Sequence, residues 1–123
     1  MLFRSPLTPN RILDTRSPGI GYSGAKPGPG ATVAIQVAGA GGVPATGATA
    51  VVLNVTATEA DAPGFVTAWP SGSPRPLASN LNLTQAGQTI ANLVLVPIGP
   101  DGKVLLYTLQ GTHLVADVAG YIS

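Results

Sequence analysis

Residues 89–110 read Thr-Ile-Ala-Asn-Leu-Val-Leu-Val-Pro-Ile-Gly-Pro-Asp-Gly-Lys-Val-Leu-Leu-Tyr-Thr-Leu-Gln, two aliphatic runs on either side of Gly99-Pro100-Asp101-Gly102. Valine, isoleucine and tyrosine favour a pleated, half-buried surface over a helix. Proline presets φ at one turn position, and Asp-Gly tolerates positive φ at the next two, so the spacing predicts strands over 89–98 and 103–110 joined as a hairpin. Working outward, the same period of two recurs. Val33, Ile35 and Val37 alternate with Thr32, Ala34 and Gln36, and Val51, Leu53 and Val55 alternate with Val52, Asn54 and Thr56. Phe65 to Trp69, Asn80 to Thr84 and Leu114 to Tyr121 complete the set, separated by Gly39-Ala40-Gly41-Gly42, Asp61-Ala62-Pro63-Gly64, Pro70 to Pro74 and Gly111-Thr112. No run of ten residues keeps a helical period without glycine or proline. The expectation is all-β: one domain over 1–123, an antiparallel jelly-roll-like sandwich of about seven to eight strands. Residues 1–30, rich in proline and glycine, are expected to form an extended arm with one short strand at Arg11-Ile12-Leu13-Asp14, and 31–123 the sandwich body.

Composition narrows the function classes. Of 123 residues, 45% are apolar and 9% charged, where an average soluble domain carries roughly 25% charged. Six Lys and Arg against five Asp and Glu leave a net charge of +1, too weak a field to hold a phosphate backbone, so nucleic acid is not an expected partner. The chain has no cysteine and one histidine, which removes thiolate chemistry and most of the parts of metal and triad sites. The chain reads as non-enzymatic, with no cofactor or metal site expected. The longest apolar stretch, Ile90 to Ile98, contains Asn92 and Pro97 and falls short of the ~20 residues a membrane helix needs. Met1-Leu2-Phe3-Arg4-Ser5 is too short and polar for an export signal, which suits either a cytoplasmic chain or a piece of a longer secreted protein.

In the last three strands both faces are apolar: Val94 and Val96 alternate with Leu93 and Leu95, and Val104 and Leu106 with Leu105, Tyr107 and Leu109. Such strands are either covered on both sides within the domain, here by the Pro-rich arm, or buried by another copy. The second reading predicts a homo-oligomer, a trimer among the options, through Leu93, Leu95, Leu105 and Leu109.

Gly19-Ile20-Gly21-Tyr22-Ser23-Gly24 matches a dinucleotide fingerprint, but Pro18 precedes it and Pro27-Gly28-Pro29-Gly30 forbids the helix whose N-terminus would face the pyrophosphate, so these read as turn glycines. His113 lacks a nucleophile elbow and reads as a strand-edge residue; the carboxylates are scattered singly, which assembles neither a hydrolase pair nor a calcium loop. Arg11, Asp14, Arg16 and Asp117 sit among apolar neighbours, where charges require partners. Asp14 or Asp117 is expected to pair with Arg16 or Arg11 in a clamp between the arm and the last strand, because an unpaired buried charge costs several kcal/mol, as a rule of thumb. Trp69, Tyr107 and Tyr22 are candidates for a sugar-stacking platform, with core packing as the alternative.

Three segments together resemble a known module: Arg11-Ile12-Leu13-Asp14-Thr15-Arg16, the stretch Gly42 to Thr56 (GVPATGATAVVLNVT), and Asp117-Val118-Ala119-Gly120-Tyr121. They are similar to a β-rich repeat of secreted and cell-surface proteins of actinobacteria and soil bacteria, over Pro9 to Ser123. The resemblance implies an extracellular accessory domain and supplies no catalytic residues. The expected function is a non-catalytic extracellular or cell-surface binding and assembly module that self-associates. The alternatives are a carbohydrate-binding module, with cell-wall or other polysaccharide as partner, and a virion or phage-tail decoration protein.

Overall fold

The computed structural model describes residues 4–123; Met1–Phe3, the start of the stretch judged too short for an export signal, lie outside the described residues. Eight strands follow in order: β1 (Arg4–Asp14), β2 (Thr32–Gln36), β3 (Ala50–Thr58), β4 (Gly64–Pro70), β5 (Leu81–Leu83), β6 (Ile90–Pro97), β7 (Lys103–Thr108) and β8 (His113–Ile122). They form two four-stranded sheets, with orders β1-β8-β3-β6 and β2-β7-β4-β5, and every pairing is antiparallel. This is the doubly wound Greek-key order of a jelly roll.

The alternation in the sequence decides which face is buried. Val51, Leu53, Val55 and Ala57 of β3 are fully buried, and so are Val66 of β4, Val104 and Leu106 of β7, and Leu114, Ala116 and Val118 of β8. Each set lies two residues apart along its strand and points between the sheets. Because the period is two, a one-residue slip would send every one of these side chains outward, so burial fixes the register.

The segment at 89–110 is not a hairpin. β6 pairs with β3 in the first sheet, and β7 pairs with β2 and β4 in the second, so Gly99-Pro100-Asp101-Gly102 arches from one layer to the other. The turn itself forms, with Gly102 N–H donating to Gly99 O at 2.9 Å, but its flanks are claimed by other strands. Ile98 N–H donates to Thr49 O at 2.9 Å, Val37 N–H to Gly102 O at 2.9 Å, and the Ser71 hydroxyl at the end of β4 to Asp101. Turn chemistry specifies a reversal of direction; long-range partners specify the sheet.

The strand expected at Arg11-Ile12-Leu13-Asp14 is present as the end of a longer one. Residues 4–14 form one long edge strand, β1, with register shifts between Pro6 and Asn10 and between Arg11 and Leu13. Prolines are accommodated there because an edge strand has a side that requires no ladder donor. The loop that follows returns to the strand: Asp14 and Ile20 exchange both backbone hydrogen bonds, at 2.8 and 2.9 Å. Gly21 has φ +63°, and a Cβ there would stand 2.4 Å from Ile12 O, so the glycines of the apparent dinucleotide fingerprint are turn residues. At the other end of the β1–β8 ladder, a Cβ on Gly120 would stand 2.8 Å from Ser5 O, which explains glycine in Asp117-Val118-Ala119-Gly120-Tyr121.

Candidate functional site

Chemistry-bearing side chains gather at the β1–β8 edge. Arg11 donates from Nε to Asp117 Oδ1 at 2.9 Å and from Nη2 to Oδ2 at 3.4 Å, crossing from β1 to β8. Arg16 grips Asp14 with two bonds of 2.9 Å, and Arg11 Nη1 stands 3.8 Å from Asp14 Oδ2. The four groups therefore form a ladder, Asp117–Arg11–Asp14–Arg16, in which only the Arg11–Asp117 rung ties β1 to β8. The arginine side chains are 43% and 42% exposed, so these are half-solvated pairs and not the buried charges expected from their apolar neighbours. Each contributes at most about 1 kcal/mol.

The Arg16 guanidinium holds the Asp14 carboxyl below its ordinary value, chiefly through its hydrogen bonds and against the effect of burial. A carboxyl depressed in the folded state contributes stability that is fully present above the unfolded value, near 4, and is lost as pH falls through the lower folded value. Urea melts should therefore show Arg16→Ala modestly less stable than the parent at pH 7, with the difference closing as pH falls below the ordinary carboxylate range and Asp14 is protonated in both states.

Thr15, buried at 4% exposure, was not singled out by sequence reasoning. Its Oγ1 accepts from Leu114 N–H at 2.9 Å and lies 2.9 Å from His113 Nδ1, while its own N–H donates to Leu114 O at 3.0 Å. His113 and Asp117 share strand β8, and the Asp117 carboxylate is held by Arg11, so no carboxylate of this ladder orients the imidazole. Among the described residues, no three His, Asp or Glu side chains converge to hold a metal ion.

Two further surfaces carry exposed apolar groups, one on each outer face. On the first sheet, Leu93 and Leu95 of β6 are 55% and 61% exposed, beside Val52 and Ile122 in an open depression of about 230 Å³. On the second sheet, Leu105 of β7 is half-buried, while Leu109, just beyond β7, is 45% exposed. The four leucines expected to form one interface thus divide between opposite faces, because β6 and β7 belong to different layers.

The aromatic platform also separates. Trp69 is 7% exposed, covered by the β4–β5 loop, and donates from Nε1 to Ser73 O at 3.0 Å. Tyr22 lies in the β1–β2 loop, packed at the rim of the core with its hydroxyl on Ala25 O. Tyr107 does lie on the outer face of the second sheet, 6.0 Å from Phe65 between ring centroids, with the Arg75 guanidinium 3.7 Å over its ring. Phe65 and Arg75 also line an open pocket of about 310 Å³ with Pro76, Leu77, Ala78 and Ser79. No loop signal in the sequence marks Arg75 as the residue that reaches Tyr107. No protein-family model matches the chain, and no curated protein matches it.

Proposed function

We propose that this chain is a non-catalytic assembly module that pairs with a second copy of itself along β6. The observation that carries this reading is the contrast between β6 and the other three sheet edges. Exposed edges invite pairing with another chain, and proteins blunt them with prolines, bulges, charges or short length. β1 carries Pro6, Pro9, Arg11 and two register shifts; β2 has five residues and β5 three. β6 runs eight residues in unbroken register with β3, carries no charge, and has its proline only at the last position.

The backbone is oriented for such pairing. The Ile98–Thr49 bond sets the alternation of the β3–β6 ladder, which turns the N–H and C=O of Val94 and Val96 toward β3 and those of Leu93 and Leu95 toward the open edge. An antiparallel twofold centred on Val94 sets Leu93 against Leu95 of the second copy, joining backbone bonds to apolar side-chain pairs. This gives a dimer by one isologous contact, in place of the trimer among the sequence-based options. The extended sheet suits the exported bacterial role that the resemblance implies, where repeats of one β module cohere on or outside a cell.

Hydrogen exchange across a concentration series tests this edge directly. The amides of Leu93 and Leu95 should gain protection as concentration rises, with no matching change at the β1 edge. Exchange at Leu93 and Leu95 that is independent of concentration would contradict the reading.

A further inference from the structure

We infer that the outer face of the second sheet, opposite the face bearing Leu93 and Leu95, holds a binding site for a carboxylate-bearing sugar ring, built from Phe65, Tyr107, Arg75 and Ser79. The β4–β5 loop that forms its wall is fixed at several points. Trp69 Nε1 donates to Ser73 O at 3.0 Å, Thr67 Oγ1 to Ala78 O at 2.6 Å, and Ala68 N–H to Asn80 Oδ1 at 2.7 Å; Asn80 N–H donates to Val66 O at 2.8 Å. These bonds make Trp69 a pin beneath the loop and leave Phe65 and Tyr107 as the aromatic surface.

Arg75 supplies the charge. Its guanidinium carbon stands 3.7 Å over the centre of the Tyr107 ring, a cation–π contact that places the head group at the pocket wall. Among the described residues the ion pairs involve Arg11, Arg16 and Lys26, and none engages Arg75. A guanidinium anchored over an aromatic ring, without a carboxylate partner among the described residues, on the wall of a pocket lined by Phe65, is complementary to a planar anion gripped by two parallel bonds. The remaining surroundings select the body to which that anion is attached. Phe65 offers an apolar face, while the Ser79 hydroxyl and the Asn82 side chain, themselves 3.0 Å apart, offer polar groups at its side. A pyranose carrying a carboxylate has the matching features: an apolar ring face, hydroxyl edges and one anionic group. The pocket, about 310 Å³ and open along the surface, lies at the small end of ligand sites and suits one ring of a polymer.

Titration by calorimetry or amide chemical shifts with tetragalacturonate, with a muramic-acid-containing disaccharide, and with neutral galactotetraose tests this assignment. Binding of either acidic probe in preference to the neutral one, with shifts confined to Phe65, residues 75–79 and Tyr107, supports it; the two acidic arms separate uronic from muramic acids. Arg75→Gln should weaken that binding roughly ten-fold or more, with Arg75→Lys restoring part of it, and leave the melting temperature unchanged. Leu95→Lys should bind the probe as the parent does, which separates this site from self-association. Failure of both acidic probes to bind, equal binding of the neutral tetrasaccharide, or unaltered affinity in Arg75→Gln would overturn the assignment.

Discussion

Leu13→Ala should lower unfolding stability by about 2–5 kcal/mol, the range for emptying a fully buried leucine site. Leu13 has no exposed surface and sits at the end of β1, opposite Ala116 of β8. Its neighbours in sequence are the charged members of the ladder, each more conspicuous in a chain so poor in charge. The comparison of Leu13→Ala with Arg16→Ala therefore ranks the two kinds of interaction. Burial dominates, because a half-exposed ion pair contributes at most about 1 kcal/mol while a cavity loses both transfer free energy and packing contacts. Urea unfolding of the two variants at pH 7 measures this, and an Arg16→Ala loss equal to that of Leu13→Ala would show that burial does not dominate ion pairing in this segment.

The segment Leu13-Asp14-Thr15-Arg16 thus has a division of labour. Leu13 fills the core, Thr15 satisfies the Leu114 N–H and meets His113, and Asp14 with Arg16 braces the turn that follows. The Thr15 contacts connect residues almost a hundred positions apart, 98 to His113 and 99 to Leu114. They close the jelly roll by joining the end of its first strand to the start of its last.

The strands and their inward faces were legible in the sequence because alternation is a local signal. Val51, Leu53 and Val55 announce both a strand and a buried side without reference to any partner. Pairing was less legible. Gly99-Pro100-Asp101-Gly102 has the chemistry of a tight turn, yet Thr49, Ser71 and Val37 decide that its two flanks join different sheets, and such partners are distant in sequence: the Ser71–Asp101 bond spans 30 residues and the neighbouring Gln36–Gly102 bond 66. The site suffered from the same limit. Leu93 and Leu95 could be marked as surplus apolar residues, but Leu105 and Leu109 were grouped with them only through the assumed hairpin. Trp69 looked available for stacking until the β4–β5 loop was seen to cover it, and Arg75 has no local signature that links it to Tyr107.

The second large effect concerns the β6 edge. Leu95→Lys places a charge on the strand at its most exposed leucine, which is how natural edges prevent pairing. Its side chain points outward, opposite Val52 of β3 and away from the cluster between the sheets, so the variant should fold with stability close to the parent's while losing the dimer. One strand edge with flanking leucines is a small interface, for which a dissociation constant on the order of 1–100 μM is expected.

Light scattering across a dilution series spanning that range is the direct measurement. The parent should pass from twice the monomer mass to the monomer mass on dilution, with Leu95→Lys monomeric throughout. A parent chain that remains monomeric at the highest concentration, or a Leu95→Lys chain that dimerises as the parent does, would contradict β6 as the surface by which this module assembles.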